Sequence, residues 1–140
     1  MKIWLNGDMV DASEASVSVF DHGLLYGDGV FEGIRVYNGR IFECRAHLDR
    51  LFDSARRIRL TVPCAKQELR EAMERCIEAN GVENGYIRLV ITRGVGTLGL
   101  NPMLCRDATV FVIADQIKLY PEEMYRDGMA VIIAKTVRCG

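Results

Sequence analysis

Residues 30–44, VFEGIRVYNGRIFEC, decide the fold class. The run 30–37 predicts a strand, and residues 40–44 predict the strand that returns beside it. Asn38-Gly39 between them favours a tight hairpin turn because both residues tolerate positive φ. Asn6-Gly7 repeats this pattern between two short apolar runs near the N-terminus. Two such hairpins in a short chain predict an antiparallel sheet.

Two stretches in the middle of the chain follow helical spacing. Residues 45–60 and 66–79 each place apolar side chains on one helix face. Asn80-Gly81 predicts a C-terminal cap for the second helix. Three glycines among residues 21–29 predict a turn or a short helical loop there. Further strands are predicted over residues 16–20, 85–93 and 109–114.

The order of these elements predicts an α+β fold. A small N-terminal domain, with an antiparallel sheet and two main helices, is expected over residues 1–115. Residues 116–128 are polar and irregular and predict a linker between domains. A strand over residues 130–137 would begin a truncated second domain at 129–140, since a lone strand after a linker cannot bury itself.

The composition of the 140 residues excludes several classes of protein. A hydrophobic content of 49% excludes overall disorder, and no apolar run is long enough to span a bilayer. The net charge of −1 lacks the basic excess of a nucleic-acid binder. Five cysteines without a C-x-x-C pair, and only two histidines, predict free thiols in a reducing cytosol and no metal site. We therefore expect a cytoplasmic protein.

Four polar features leave two interpretations open. Tyr86 and Arg88 share one face of the strand over 85–93, where they could hold a carboxylate or simply face solvent. Gly27-Asp28-Gly29 could approach a phosphate or form a tight turn. Arg50 could bind an anion or be solvated surface, and Asp21-His22 could be an acid–base pair or a structural turn. The residues alone do not decide between these alternatives.

Three segments together resemble a known family. They are residues 20–35, FDHGLLYGDGVFEGIR, then 47–51, HLDRL, and 86–94, YIRLVITRG. In this order and spacing they resemble the pyridoxal-phosphate enzymes of fold type IV, and most nearly the branched-chain amino acid aminotransferases. The resemblance implies two domains with pyridoxal 5′-phosphate in the cleft between them, and a homodimer or higher homo-oligomer.

The resemblance implies one cofactor contact and six substrate contacts. Arg50 matches the arginine that binds the cofactor phosphate. The implied substrate contacts are Tyr26, Phe31, Tyr86, Arg88, Leu98 and Leu100. Tyr86 would hold the α-carboxylate and Arg88 the distal carboxylate of glutamate. Leu98, Leu100 and Tyr26 would close the pocket of the partner subunit, so we expect these apolar side chains and Phe31 to be exposed in a single chain, which would favour self-association.

The implied activity belongs to branched-chain amino acid biosynthesis. It transfers the amino group of leucine, isoleucine or valine to 2-oxoglutarate. Leu98 and Leu100 stand where D-amino acid aminotransferases carry an Arg-x-His carboxylate trap, and leucines pack against branched aliphatic chains instead. Alternatives are an aminodeoxychorismate lyase, a D-amino acid aminotransferase, or a non-catalytic domain that associates with itself.

The catalytic lysine is expected beyond Gly140. In this family a lysine forms the Schiff base with the cofactor. The chain's lysines are Lys2, Lys66, Lys118 and Lys135, and none lies in the family's Arg-or-Val-x-Lys-Ser-x-Asn-Tyr-like context. We therefore expect an N-terminal portion that binds the cofactor only with the second domain and has no transaminase activity alone.

Overall fold

The fold is built on a six-stranded antiparallel sheet. The computed structural model describes residues 1–116 and 120–137, and these counts refer to them. The strands are β1 (Lys2–Leu5), β2 (Asp8–Asp11), β3 (Gly29–Tyr37), β4 (Arg40–Ile41), β5 (Gly85–Thr92) and β6 (Val110–Asp115), in the order β2-β1-β6-β5-β3-β4. The helices are α1 (His22–Tyr26), α2 (Cys44–Arg57), α3 (Lys66–Asn80) and α4 (Glu122–Asp127), with a 3₁₀ turn at Pro102–Leu104. The predicted α+β fold class is confirmed.

Both predicted Asn-Gly hairpins form. Asn6 and Gly7 have φ of 49° and 110° and join β1 to β2. Asn38 and Gly39 have φ of 51° and 71° and join β3 to β4. Both residues of each turn lie at positive φ, as a two-residue hairpin turn requires.

One face of the sheet forms the core under α2 and α3. Ile34 of β3 and Ile87 and Leu89 of β5 are fully buried on this face. The buried stripes of the two helices are those predicted by their spacing, with Leu51 on α2 and Met73 on α3 fully buried. The core therefore forms where apolar side chains at every second strand residue face apolar side chains that repeat every 3.6 residues along the helices.

Asn80 and Gly81 end α3 as predicted. Gly81 adopts φ of 60°, the left-handed geometry of a helix C-cap. The Asn80 amide donates to the carbonyl oxygens of Lys2 at 2.8 Å and Ala114 at 3.0 Å, and its Oδ1 accepts from the Lys2 N–H at 2.7 Å. One side chain thereby fixes the end of the helix to β1 and β6.

The opposite face and one edge of the sheet stay open among the described residues. β3 pairs with β5 from Gly29 to Val36, but β4 pairs only with Val36 and Tyr37. The Phe42 N–H donates to the Arg35 carbonyl at 2.9 Å, so the backbone groups of Arg35 point outward. Alternation then directs the backbone groups of Phe31 and Gly33 toward the same open edge.

Two predicted strands are wrong. Residues 16–18 carry no helix or strand, and residues 19–20 turn, because the Asp21 N–H donates to the Ser18 carbonyl at 3.0 Å and directs the chain into α1. Residues 130–137 carry no helix or strand, and Ile132 and Ile133 are 93% and 98% exposed. Alternation and apolarity make a strand only where a partner strand pairs with it.

Several boundaries also differ from the prediction. The helix predicted over 45–60 ends at Arg57, and the strand predicted over 85–93 ends at Thr92. The strand over 40–44 shortens to Arg40–Ile41 because Cys44 already begins α2. The stretch predicted as an irregular linker contains α4, while its residues 117–119, with Lys118, lie outside the described residues, as do residues 138–140. The described cysteines are free thiols, and burial raises the pKa of the Cys76 thiol.

Candidate active site

Arg50 is held by a buried carboxylate that faces α2. Glu32 occupies a core-facing position of β3 and is 4% exposed. Arg50 grips it bidentately, with Nε donating to Oε1 at 2.8 Å and Nη2 donating to Oε2 at 2.6 Å. The Arg50 side chain is itself 66% exposed. The result is a guanidinium that is fixed at its base and open to solvent at its tip.

His47 completes this cluster from one turn earlier on α2. Its Nδ1 lies 2.7 Å from Oε2 of Glu32 and 3.2 Å from Nη2 of Arg50. A carboxylate oxygen only accepts hydrogen bonds, so Nδ1 carries the proton and donates to Glu32. Nδ1 of His47 and Nη2 of Arg50 then lie close together because both donate to Oε2 of Glu32.

The partners of Glu32 favour its ionised form. Burial raises the pKa of the Glu32 carboxyl, but the hydrogen bonds from Arg50 and His47 outweigh burial and hold the pKa below its ordinary value of 4.5. Glu32 is therefore charged at neutral pH, and its charge is neutralised by a neighbouring cation.

The open face of the sheet carries a second arginine among aromatic rings. The Arg88 guanidinium lies 4.5 Å from the centre of the Phe31 ring and 5.6 Å from that of Tyr86. Both distances suit cation–π contact. A Cβ on Gly33 would lie 1.9 Å from the Tyr86 hydroxyl, so only glycine leaves room for that phenol. The predicted pairing of Tyr86 and Arg88 on one face is confirmed.

Tyr26 and Leu98 meet in a third group. The Tyr26 hydroxyl donates to the Leu98 carbonyl at 2.5 Å, and His22 Nε2 lies 2.8 Å from the Thr97 carbonyl oxygen. The short helix α1 thus supports the loop that carries the two leucines. The four apolar side chains expected at the surface are exposed: Tyr26, Phe31, Leu98 and Leu100, at 41%, 62%, 69% and 76%.

A buried carboxylate fixes α1 against the sheet. Asp21 is fully buried and accepts hydrogen bonds from the Gly23 N–H at 2.7 Å and from the hydroxyls of Thr92 and Thr109, both at 2.8 Å. Asp21 and His22 therefore have structural roles: Asp21 caps α1, and His22 contacts the loop that carries the leucines. This is the structural alternative that the sequence left open. Asp21 thereby fixes the first turn of α1, the helix that ends at Tyr26.

A second salt bridge anchors the glycine-rich turn. Arg93, which directly follows β5, donates to both oxygens of Asp28 at 2.9 Å and to the carbonyls of Ile58 and Arg59 at 2.7 Å. It joins Gly27-Asp28-Gly29 to the end of α2. Gly27 caps the end of α1 at φ 67°, and Gly29 begins β3.

Sequence reasoning missed Glu32, His47, Asp28 and Arg93. A signal for Glu32 exists in the sequence, because residues 30, 34 and 36 on the same strand face are apolar. An acid among them needs buried partners. The i, i+3 spacing of His47 and Arg50 places two such partners on one helix face.

The family follows from comparison with known proteins. The family model for class IV aminotransferases matches residues 29–140. The chain belongs to the class IV aminotransferases. These enzymes use pyridoxal 5′-phosphate. Among the described residues of this aminotransferase chain, no helix is long and apolar enough to cross a membrane.

Curated relatives of this class IV chain include two kinds of aminotransferase. A Methanocaldococcus jannaschii protein, provisionally named a branched-chain-amino-acid aminotransferase, is 48% identical over 99% of this chain and 47% of its own length. D-alanine aminotransferase of Listeria monocytogenes is 42% identical over 68% of this chain and 33% of its own length. The class IV chain thus spans about half the length of the first of these relatives and a third of the length of the second.

Solved structures share its fold. Branched-chain amino acid aminotransferase of Escherichia coli has a TM-score of 0.79 at 38% identity, covering 85% of this chain and 40% of its own. The T.th. enzyme of the same name, complexed with N-(5′-phosphopyridoxyl)-L-glutamate, has a TM-score of 0.78 at 39% identity, covering 83% and 40%. A 4-amino-4-deoxychorismate lyase of Pseudomonas aeruginosa has a TM-score of 0.70 at 30% identity, covering 89% and 43%.

The residues present fit the phosphate end of the cofactor. The exposed tip of Arg50 supplies a fixed guanidinium, whose planar fork matches phosphate geometry. Two of the described lysines are engaged elsewhere, since Lys2 pairs with Asp11 at 3.0 Å and Lys66 pairs with Asp49 at 2.5 Å. The chemistry of Arg50 thus suits a phosphate, and the described residues assign no Schiff-base lysine.

Proposed function

We propose that residues 1–140 form the phosphate- and substrate-binding half of a branched-chain amino acid aminotransferase. Arg88 carries this proposal, because its guanidinium lies against the rings of Phe31 and Tyr86. Transamination requires one pocket to accept an aliphatic side chain and then the distal carboxylate of a 2-oxo acid. A cation set among apolar rings supports both uses.

Each candidate side chain has a binding role under this proposal. Arg50 holds the phosphate of pyridoxal 5′-phosphate, which when bound supplies the electron sink for amino-group transfer. Tyr86 orients the substrate α-carboxylate with its hydroxyl, and Arg88 receives the distal carboxylate. Phe31 excludes water from the aliphatic side chain.

Tyr26, Leu98 and Leu100 act across a homodimer or a higher homo-oligomer in this proposal. Their exposure and the hydrogen bond that joins Tyr26 to Leu98 support a preformed apolar surface for a partner subunit's pocket. Leu98 and Leu100 favour binding of branched aliphatic side chains, whereas the Arg-x-His trap of D-amino acid aminotransferases binds a carboxylate. The proposed compartment is the cytoplasm.

Catalysis in this proposal needs a lysine outside residues 1–140. We propose a division into an N-terminal domain at 1–115, a linker at 116–128 and the start of a second domain at 129–140. The support is that the Methanocaldococcus relative is about twice as long. The exposed Ile132 and Ile133 would then pack in the second domain.

The test joins residues 1–140 to the remaining C-terminal part of the Methanocaldococcus relative. We expect this chimera to form glutamate from L-leucine and 2-oxoglutarate, and residues 1–140 alone to form none. Borohydride should trap no specific lysine adduct of the cofactor on residues 1–140.

A substitution in the same chimera separates the substrate classes. Arg88→Gln should raise the KM for 2-oxoglutarate by about a hundredfold and that for leucine by less than about fivefold, because only the oxo acid brings a distal carboxylate. Faster turnover of D-alanine than of L-leucine would support a D-amino acid aminotransferase instead. Release of pyruvate and aminobenzoate from aminodeoxychorismate would identify a lyase.

A further inference from the structure

Arg50 has donors to spare after it binds Glu32. A guanidinium carries five N–H groups. Glu32 takes one from Nε and one from Nη2, both on one edge of the planar group. Three N–H groups remain, two on Nη1 and one on Nη2. These three form the end of the guanidinium that faces away from Glu32 and can hold an anion bidentately.

A free arginine at this position would be disordered. Its side chain is 66% exposed, and a long exposed arginine has many rotamers to lose when it binds a ligand. Glu32 is 4% exposed, on a central part of β3, and therefore has a fixed place. Its two hydrogen bonds select one orientation of the Arg50 fork before any ligand arrives.

His47 fixes the carboxylate in turn. Its Nδ1 proton binds Oε2 at 2.7 Å, and its side chain is 16% exposed. Oε2 therefore receives one donor from each of two residues on the same face of α2. This leaves the Glu32 carboxylate one orientation, in which Oε1 faces the Arg50 Nε.

We propose that Glu32 and His47 are positioning residues that hold the Arg50 guanidinium ready for the phosphate of the cofactor, an inference that rests on the proposed function. Glu32 aims the fork, and His47 sets the plane of the carboxylate. The arrangement carries a specific cost, since it places a negative charge beside an anion site.

Because of that cost, the two roles of Glu32 predict opposite changes in anion affinity for one substitution. If Glu32 were only a neighbouring charge, Glu32→Gln would strengthen anion binding by removing repulsion. If Glu32 positions Arg50, the same substitution weakens binding, because a neutral amide offers one acceptor where the fork needs two. We expect weakening of about tenfold from the rotamer freedom that Arg50 regains.

The experiment uses the chimera of residues 1–140 with the C-terminal part of the Methanocaldococcus relative, because the cofactor is expected to need both domains. Calorimetry measures its binding of pyridoxal 5′-phosphate and of inorganic phosphate. Arg50→Gln reports whether the anion binds at Arg50. Asp53→Asn is the matched control, since Asp53 pairs with Arg56 at 2.9 Å on the same helix and loses the same charge. The Arg50 Nε–H signal in ¹⁵N-NMR reports the orientation directly, and urea unfolding of each variant reports stability.

The expected result is loss of binding in Arg50→Gln, about tenfold weaker binding in Glu32→Gln with a broadened Nε–H signal, and no weakening in Asp53→Asn. Unchanged or tighter binding in Glu32→Gln, with binding lost in Arg50→Gln, overturns the positioning role and leaves the proposed phosphate site intact. Wild-type binding in Arg50→Gln refutes the phosphate site itself. Should Glu32→Gln not fold, His47→Gln is measured, with weaker binding expected and unchanged binding overturning the proposal.

Discussion

Gly94 should be the glycine at which alanine costs most stability. It follows β5 at φ 87°, in the left-handed region. A Cβ there would lie 1.7 Å from the carbonyl oxygen of Asp107, which is a backbone atom. The Gly94 carbonyl also accepts the His22 N–H at 2.9 Å. Any shift of Gly94 therefore disturbs the start of α1 as well.

The magnitude follows from two terms. Left-handed backbone costs a residue with a Cβ about 1–2 kcal/mol. Moving the Asp107 carbonyl to an allowed separation takes a backbone shift of about 1.3 Å, which also strains the segment before β6. Together we expect Gly94→Ala to lower the free energy of unfolding by about 3–5 kcal/mol, a size reserved for such backbone defects.

Gly33→Ala is the matched control. Its new Cβ would meet only the Tyr86 side chain, with the hydroxyl nearest at 1.9 Å, and that side chain can swing. Alanine also gains about 0.5–1 kcal/mol over glycine inside a strand. We therefore expect a stability change within about 1 kcal/mol, while the Tyr86 ring moves off its site.

The assay is urea unfolding followed by the fluorescence of Trp4, the single tryptophan, which is 7% exposed. With a slope of about 2 kcal/mol per molar urea, Gly94→Ala should lower the midpoint by about 1.5–2.5 M and Gly33→Ala by less than about 0.5 M. Equal shifts for the two variants would refute the distinction between a backbone and a side-chain obstacle.

Three further substitutions test the contacts of the site. Asp21→Asn should cost about 2–3 kcal/mol in urea unfolding, because a buried acceptor of three hydrogen bonds becomes partly a donor, and a loss under about 0.5 kcal/mol would contradict this. The lowered pKa of Glu32 means that the unfolded chain binds its proton more readily, so its stabilisation is complete above about pH 4.5 and is lost as the pH falls through the folded value. Glu32→Gln should therefore make the urea midpoint depend less on pH between about pH 5 and 3, and an unchanged pH dependence would count against this. Tyr26→Phe should leave global stability within about 1 kcal/mol yet speed amide exchange around Leu98, whose carbonyl it frees, and equal exchange rates would show that the bond does not hold the loop.

Local chemistry made most of the sheet predictable. The Asn-Gly turns fix their own geometry, and strict alternation in β5 placed Tyr86 and Arg88 on one face without knowledge of any neighbour. Residues 16–20 and 130–137 show the limit of this reasoning. Their apolar patterns are strand-like, but pairing is a long-range property that no local pattern contains.

The cluster around Glu32 was beyond the sequence for the same reason. The apolar residues 30, 34 and 36 mark the strand face that Glu32 shares, but the partners of this acid depend on where α2 packs. His47 and Arg50 had a visible spacing, but the residue that joins them lies 15 positions before His47. Only the packing of α2 on β3 brings the three side chains together.

Alternation along β3 explains how one strand can serve two ends of a ligand. Phe31 points to the open face, where it meets Arg88, and Glu32 points to the helical face, where it holds Arg50. The two arginines therefore lie on opposite faces of the sheet. A ligand that touches both must cross the open edge of β3, beside the outward backbone groups of Phe31 and Gly33. A second strand paired along this edge would separate the two cations, so the shortness of β4 is as necessary to the proposed site as either arginine.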